Sequence, residues 1–335
     1  MRDYIIRRLL FLIPIMLGVS LLTYGLFHVI PGDAVIIRLN FGATPETVRE
    51  VRHAEGLDRP GLPISINTDA PFIHFQKDSQ YGDWLWKIVV HQDLGHSLHE
   101  GRAEVTTELG RRLPVTLELM ILTIIFAIVL GVPPGVLSAV RPGTPLDWLA
   151  RIASVMWLSI PSFFLGILII TFGRIWFGWT PPQFGTGYVS FFDDPWINLQ
   201  EFFFPSLVLS VGIAAVIMRL TRSAMLEVLR NDYIRTAWSK GLRERTVVWR
   251  HALKNALIPV VTLVGLQVGA LIGGAVIIES LFNLNGIGKY ALEAIIRRDY
   301  FVVQSLTLLF ATVYVLANLL VDITYAWLDP RIHYT

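Results

Sequence analysis

Apolar residues in this chain gather into six long blocks instead of spreading through amphipathic patterns. The blocks are Leu9 to Ile30, Leu113 to Val140, Leu149 to Trp176, Phe204 to Met218 continuing into Leu220, Ile258 to Leu281, and Val302 to Trp327. A bilayer core takes about 20 apolar helical residues to cross, so each block predicts one transmembrane helix. The first block follows Arg2, Arg7 and Arg8, as a signal peptide would. Its apolar run is longer than the roughly 7 to 15 residues of a signal h-region, and it ends in Pro31-Gly32-Asp33 instead of a small-residue cleavage site. It predicts an uncleaved first span. The expected fold class is all-α, a polytopic integral membrane protein with six transmembrane helices. Three regions follow: 1–30 with the first helix, a lobe over 31–112, and a helical core over 113–335 that contains a long polar loop, 219–257.

Loop charge orients the helices. The segment from Arg219 to Pro259 carries Arg219, Arg222, Arg230, Arg235, Lys240, Arg243, Arg245, Arg250 and Lys254 against Glu227, Asp232 and Glu244. Basic loops beside spans stay in the cytoplasm because positive charge resists translocation. Both termini are then expected in the cytoplasm, and the lobe on the opposite side of the membrane. The segment from Gly178 to Phe203, with Asp193, Asp194 and Glu201 and no Lys or Arg, also falls outside. The hairpin from Gly286 to Tyr300 falls outside too, although Lys289, Arg297 and Arg298 leave it undecided by charge alone. Within the lobe, Pro45 at a first helical position, followed by Glu46 and Glu50, predicts a helix after Thr44. The aromatic-rich Gln80 to Val90 predicts a second helix against the membrane surface.

Composition supports the class. Hydrophobic residues make up 53% and charged residues 16%, as in a chain that lives in the lipid bilayer, and the net charge of only +2 does not suggest nucleic acid. There is no cysteine, which excludes disulfides, thiolate metal sites and cysteine nucleophiles.

Motifs for catalysis are absent. Asn285-Gly286-Ile287-Gly288-Lys289 lacks the spacing of a phosphate-binding loop, and neither a nucleophile elbow nor a His-Glu-x-x-His helix occurs. His91, His96 and His99 cluster in one polar segment without a carboxylate at ligand spacing, which suits solvated loop residues better than a zinc site. No catalytic, cofactor-binding or metal-binding residue is assigned, and no enzymatic activity is expected. Ionisable or polar groups within the spans are Glu118, Arg174, Glu279, Asn318 and Asp322. Pairing between helices or snorkelling accounts for them, with a proton relay as the alternative. Gly265, Gly269 and Gly273, at i, i+4 and i+8, predict a smooth ridge for helix packing.

In the basic loop, Arg230-Asn231-Asp232 predicts a helix stop and a new cap. Tyr233, Ile234, Arg235, Thr236, Ala237, Trp238, Ser239 and Lys240 then form a two-turn helix ended by Gly241. Tyr233, Ile234 and Trp238 are expected to be exposed among cations. Two readings stay open, a basic face for anionic lipid and a docking element for a cytoplasmic partner.

The chain resembles the permease subunits of the dipeptide/oligopeptide class of bacterial ABC importers along nearly all its length. The residues that carry this are Asp232-Tyr-Ile-Arg-Thr-Ala237, Lys240-Gly241-Leu242 and Arg250-His-Ala-Leu-Lys-Asn-Ala-Leu-Ile-Pro259. Supporting stretches are His28 to Asp33, Asp93-Leu-Gly95 with Ser97, Leu113 to Glu118, and Arg297-Arg-Asp-Tyr300. Arg235-Thr236 stands where the general pattern has Glu-Ala, Ala34 replaces a frequent proline, and Ile64 to Gln92 is longer than usual. The resemblance implies a permease that pairs with a homologous second permease above two ATPase subunits. Those subunits, identical or paired, would bind ATP and magnesium, and an extracytoplasmic binding protein would deliver the substrate. It implies that Tyr233 to Gly241 is the ATPase-coupling helix and that the Gly286 to Tyr300 hairpin lies outside. Peptides are the implied cargo, with oligosaccharides, nickel chelates and opines carried by similar proteins. A secondary transporter or a membrane scaffold is the more distant alternative.

Overall fold

The structure, a computed structural model, describes residues 2–29, 44–54, 57–61, 64–66, 73–75, 79–97, 103–181 and 188–328. In chain order the elements are α1 (Arg2–Val29), α2 (Pro45–Ala54), strands β1 (Ile64–Ile66) and β2 (Ile73–Phe75), α3 (Gln80–Trp86) and α4 (Val105–Val140). They continue as α5 (Pro145–Ser159), α6 (Ser162–Phe177), α7 (Pro195–Val228), α8 (Asp232–Ser239), α9 (Glu244–Phe282), α10 (Ile287–Ile296) and α11 (Tyr300–Leu328). Over their described residues five of the six apolar blocks are continuous helix and the third is broken, and most of the helices overrun the blocks. Among the described residues, α4, α7, α9 and residues 301–320 of α11 are each long and apolar enough to cross a membrane, and α5 with α6 passes the same test as a bent pair. The apolar part of α1, Leu10–Gly25, is shorter. The body is an all-α polytopic membrane protein. The lobe adds an antiparallel pairing of β1 with β2, Ile64 opposite Phe75, which the sequence reading lacks.

The third block departs from expectation. A single helix over Leu149 to Trp176 is predicted, but the chain bends by 94° between α5 and α6. Pro161 has no N–H and a fixed φ, and it pushes the preceding residue out of the helical region. Ile160 is accordingly extended, at φ −98 and ψ 117. The helix of the fourth block is longer than expected at both ends; at its amino end Asp194 caps α7, its side chain accepting from the amides of Trp196 (3.0 Å) and Ile197 (3.1 Å), with Pro195 in the first helical position.

The chain divides into two compact units. The first comprises Met1–Tyr4, Pro114–Lys289 and Tyr314–Thr335. In it α7 packs against α5, α6 and α9. Small residues permit close approach, which is what associates helices where lipid is as apolar as the side chains. A Cβ at Gly131 of α4 would lie 2.7 Å from Ile217 and 2.8 Å from the Ala214 carbonyl oxygen, both on α7. The glycine ridge on α9 turns out to be split between faces. Gly265 is buried, a Cβ at Gly269 would meet the Tyr314 ring at 2.9 Å, and Gly273 opens onto free space. An i, i+4 row drifts by about 40° per step on a helix of 3.6 residues per turn, and here the three positions end in different surroundings.

The second unit comprises Ile5–Leu113 and Tyr290–Val313. Tyr24 of α1, Tyr81 and Trp84 of α3 and Leu308 of α11 form its buried aromatic cluster. The Ser20 and Tyr81 hydroxyls are 2.7 Å apart, and the Tyr24 hydroxyl donates to Gln80 at 3.1 Å. Pro45 opens α2 and Ser79 caps α3 by accepting from the Gly82 amide at 3.0 Å. The two short signatures Asp93-Leu-Gly95 with Ser97 and Arg297 to Tyr300 meet here. Ser97 donates to the buried Asp299 carboxylate at 2.6 Å, Ser305 donates to the Leu94 carbonyl at 3.2 Å, and Phe301 lies against Gly95, whose φ is +86.

Gly131→Ala is expected to lower the unfolding free energy by about 1 to 3 kcal/mol through overpacking, whereas Gly273→Ala changes it by less than about 0.5 kcal/mol. By the same reasoning, Gly269→Leu destabilises more than Ala270→Leu, since Ala270 is exposed. Thermal melting of the four purified variants checks both pairs.

Candidate functional site

The basic loop folds as two short helical pieces braced on α9. After α7, the amides of Arg230 and Asn231 bond back to Glu227 and Val228 at 3.1 Å each, and α8 starts at Asp232. It closes with the Gly241 amide on the Trp238 carbonyl at 2.9 Å. Gly241 has φ +71 with open space around its α-carbon, so backbone conformation and not crowding calls for glycine. The helix is strongly two-faced. Ile234 and Ala237 are buried with Val247, Val248 and Ala252 of α9. Tyr233 (42% exposed), Trp238 (45%), Leu242 (37%) and Trp249 (43%) are turned out. Arg235, Lys240, Arg243 and Arg245 are exposed beside them. The Asn255 side-chain amide donates to the Tyr233 hydroxyl at 2.6 Å, a second tie between α8 and α9.

This corrects the expectation that Ile234 is presented outward. Ile234 and Ala237 anchor the helix to its own chain, as an eight-residue helix requires tertiary packing to persist. Thr236 bonds only to the Asp232 carbonyl, at 3.0 Å, and Arg235 reaches Asp232 at 3.4 Å in a fully solvated pair. The outward aromatic and basic side chains are what a partner can touch.

A buried ion pair fixes the neighbouring helix ends. Arg222 of α7 binds Asp147 of α5 through both oxygens, at 2.8 and 3.0 Å, and donates to Ser138 of α4 at 3.0 Å. Ser138 donates to the same carboxylate, and the Gly143 amide reaches it at 3.0 Å. Bidentate geometry with every lone pair occupied is the condition under which a buried pair holds. None of these residues was singled out in the sequence reading apart from the charge of Arg222. The signal available was Asp147 just inside a helix that begins Thr144-Pro145.

The polar residues expected within the spans are not gathered into one site. Glu118 accepts from the Tyr188 hydroxyl at 2.6 Å. Burial first, and then the Glu118 carboxylate, push the Tyr188 phenol up to about 12, so it keeps its proton for that bond. Glu201, expected in a loop, lies in the second turn of α7, and its buried Oε2 has no hydrogen-bond partner among the described residues. Glu279 is fully buried and accepts from Thr116 and from the Lys289 amide. Asn318 donates to the Tyr314 carbonyl at 3.0 Å, and the side chain of Asp322 lies outside the described residues. His91 and His96 are exposed, His99 lies outside the described residues, and among the described residues no group of three or more His, Asp or Glu is arranged to hold a metal ion.

Residues 127–334 match the protein family described as the binding-protein-dependent transport system inner membrane component, and residues 1–120 match the N-terminal family of that membrane component. The dipeptide transport system permease protein DppB of Escherichia coli strain K12 is 39% identical, in an alignment covering 100% of this chain and 99% of that protein. The protein of the same name from Alkalihalophilus pseudofirmus is 38% identical, with both chains fully covered. Among solved structures, an inward-facing conformation of the MetNI methionine ABC transporter superposes with a TM-score of 0.53 at 22% identity, covering 67% of this chain and 97% of that one. At that identity the likeness concerns the fold.

The Asp147 side chain is 2% exposed and that of Arg222 26%. Arg222→Ala therefore strands a buried carboxylate and is expected to cost about 3 kcal/mol or more, while Asp147→Asn leaves a half-hydrated guanidinium and costs less. Denaturation of the two variants in mixed micelles gives the comparison.

Proposed function

Because the chain belongs to the family of binding-protein-dependent transport system inner membrane components, we propose that it is the permease subunit of an ATP-driven importer that takes up peptides. The observation that carries this is α8, a two-turn helix clamped to its own chain by Ile234, Ala237 and Tyr233 while Trp238 and a ring of cations are presented outward. Full-length similarity to two dipeptide permeases supports peptides as the cargo. Relatives in this family work with an ATPase and a binding protein. In our reading this chain forms half of the pathway with a homologous second permease. Two ATPase subunits bind ATP and magnesium on other chains and receive α8 in a groove, and the binding protein delivers substrate on the opposite face of the membrane. The chain itself performs no chemistry. Alternation of the pathway follows ATP binding and hydrolysis transmitted through α8.

Orientation follows from the same assignment, with α8 and both termini in the cytoplasm. Asn198 is fully buried, so labelling is better aimed at Phe192, which is 93% exposed. In this chain without cysteine, Phe192→Cys is expected to react with an impermeant maleimide from outside and Lys240→Cys only after the membrane is opened. The opposite pattern rejects the orientation.

The docking assignment is tested in proteoliposomes holding the assembled complex. Trp238→Ala removes an exposed side chain and is expected to leave the melting temperature of the isolated chain unchanged, while peptide-stimulated ATP hydrolysis falls about tenfold, on the order of 1.4 kcal/mol of coupling. Gly241→Val forces a β-branched residue to φ +71, and is expected to do the same through the helix end. Wild-type stimulation in Trp238→Ala would falsify the assignment.

A further inference from the structure

At the end of α9 remote from α8, eleven residues from Glu279 to Lys289 fold back so that the carboxylate of the first meets the amide of the last. Asn283 turns the chain with φ +58, and the Leu284 amide closes on the Glu279 carbonyl at 2.8 Å. Glu279 Oε2 accepts from the Lys289 amide at 2.7 Å, within the first turn of α10. Its Oε1 accepts from the hydroxyl of Thr116 on α4, at 2.5 Å. The Thr116 oxygen in turn accepts from the Ile287 amide at 2.9 Å. The opening amides of a helix have no partner within the helix, and a carboxylate placed there also meets the positive end of the helix dipole. Here the cap is borrowed from two other helices.

The two glycines of the turn are there for this carboxylate. A Cβ on Gly286 would run into the carboxyl group, and one on Gly288 would lie 2.9 Å from Oε2 and 3.0 Å from the backbone of Val276. Gly286 and Gly288 are not among the glycines with positive φ, so the space and not the backbone conformation demands them. Lys289 adds a second clasp, its ammonium reaching the side-chain oxygens of Asn283 at 2.8 Å and Asn285 at 3.3 Å. A fully buried carboxyl group is expensive unless its oxygens find donors, and here the Thr116 hydroxyl and the Lys289 amide supply them.

We propose that Glu279 and Thr116 are positioning residues that keep α4, the end of α9 and the start of α10 joined as one rigid corner while the importer works. The functional half of this inference rests on the permease reading given above; the structural half does not. Thr116→Val removes the bridging hydroxyl. Glu279→Gln offers one acceptor and one NH₂ to two donors, so one donor is left facing another. Gly286→Ala keeps every hydrogen-bonding group and displaces the carboxylate by bulk alone. Thr116→Ser keeps the bridge and serves as the conservative control.

Two readouts on the reconstituted complex decide. Hydrogen exchange of peptides spanning 284–296 is expected to accelerate at least tenfold in Thr116→Val, Glu279→Gln and Gly286→Ala, and to stay at the wild-type rate in Thr116→Ser. Stimulation of ATP hydrolysis by peptide-loaded binding protein is expected to fall in the same three variants and to persist in the control. Unchanged exchange in the three variants overturns the corner. Accelerated exchange with full stimulation overturns its role in transport. A wild-type complex that peptide-loaded binding protein never stimulates rejects the permease reading instead, and leaves the exchange result to judge the corner.

Discussion

Close packing around α7 is the constraint on which the helical body depends. Lipid supplies no net push of apolar side chains toward one another, so association has to come from how closely the backbones approach. Of the candidate spans α7 is the most enclosed, with 56% of its apolar window buried. Gly131 and Gly135 on α4, Gly166 on α6 and Gly274 on α9 are each the spot where a Cβ would strike α7 or the Leu281–Phe282 end of α9. Replacing these glycines with larger residues would push the helices apart where their backbones now approach most closely.

Packing of this kind sets distances but resists sliding and rotation poorly. Directional polar contacts supply what is missing, and they gain strength where water is absent. Asp147 with Arg222 and Ser138 ties three helices at one level. Glu279 with Thr116 ties α9 to α4 and caps α10. In the separate second unit Ser97 with Asp299 joins segments 202 residues apart. Each knot involves residues from distant stretches of sequence.

That distance explains what the sequence could and could not disclose. Six apolar blocks translated into helices because length and hydropathy are local properties. The stop at Arg230, the restart at Asp232 and the glycine at 241 were legible for the same reason, each depending on neighbours within a turn. The bend at Pro161 was also local, but a proline inside an apolar block was read through, since membrane helices tolerate proline. Which face of a helix turns inward was not legible. The Gly265, Gly269 and Gly273 series lies along one side of the helix, but which neighbour each glycine meets depends on the packing, and Ile234 reads as exposed only if the neighbouring Val247 and Val248 are overlooked. Thr116 lies inside the Leu113 to Glu118 stretch that supports the resemblance, but its bridging role exists only once Glu279 and Ile287 are beside it.

The faces of α8 bear on how force could travel. A helix of eight residues held solely by a partner would slide or unwind when that partner moved. Held instead by Ile234, Ala237 and the Tyr233 to Asn255 bond, a displacement of Trp238 becomes a displacement of the first turns of α9. That helix has 39 residues and at 1.5 Å per residue runs roughly 58 Å. It ends on Glu279, whose carboxylate caps the next helix. One continuous element therefore connects the proposed docking surface with the proposed rigid corner. Its points of compliance are a π-helical turn at Val247–Ala252 and an internal proline at 259, both near the α8 end. Flexibility placed there and stiffness kept beyond it lets the docking end adjust to its partner while the far end moves as a unit with the corner.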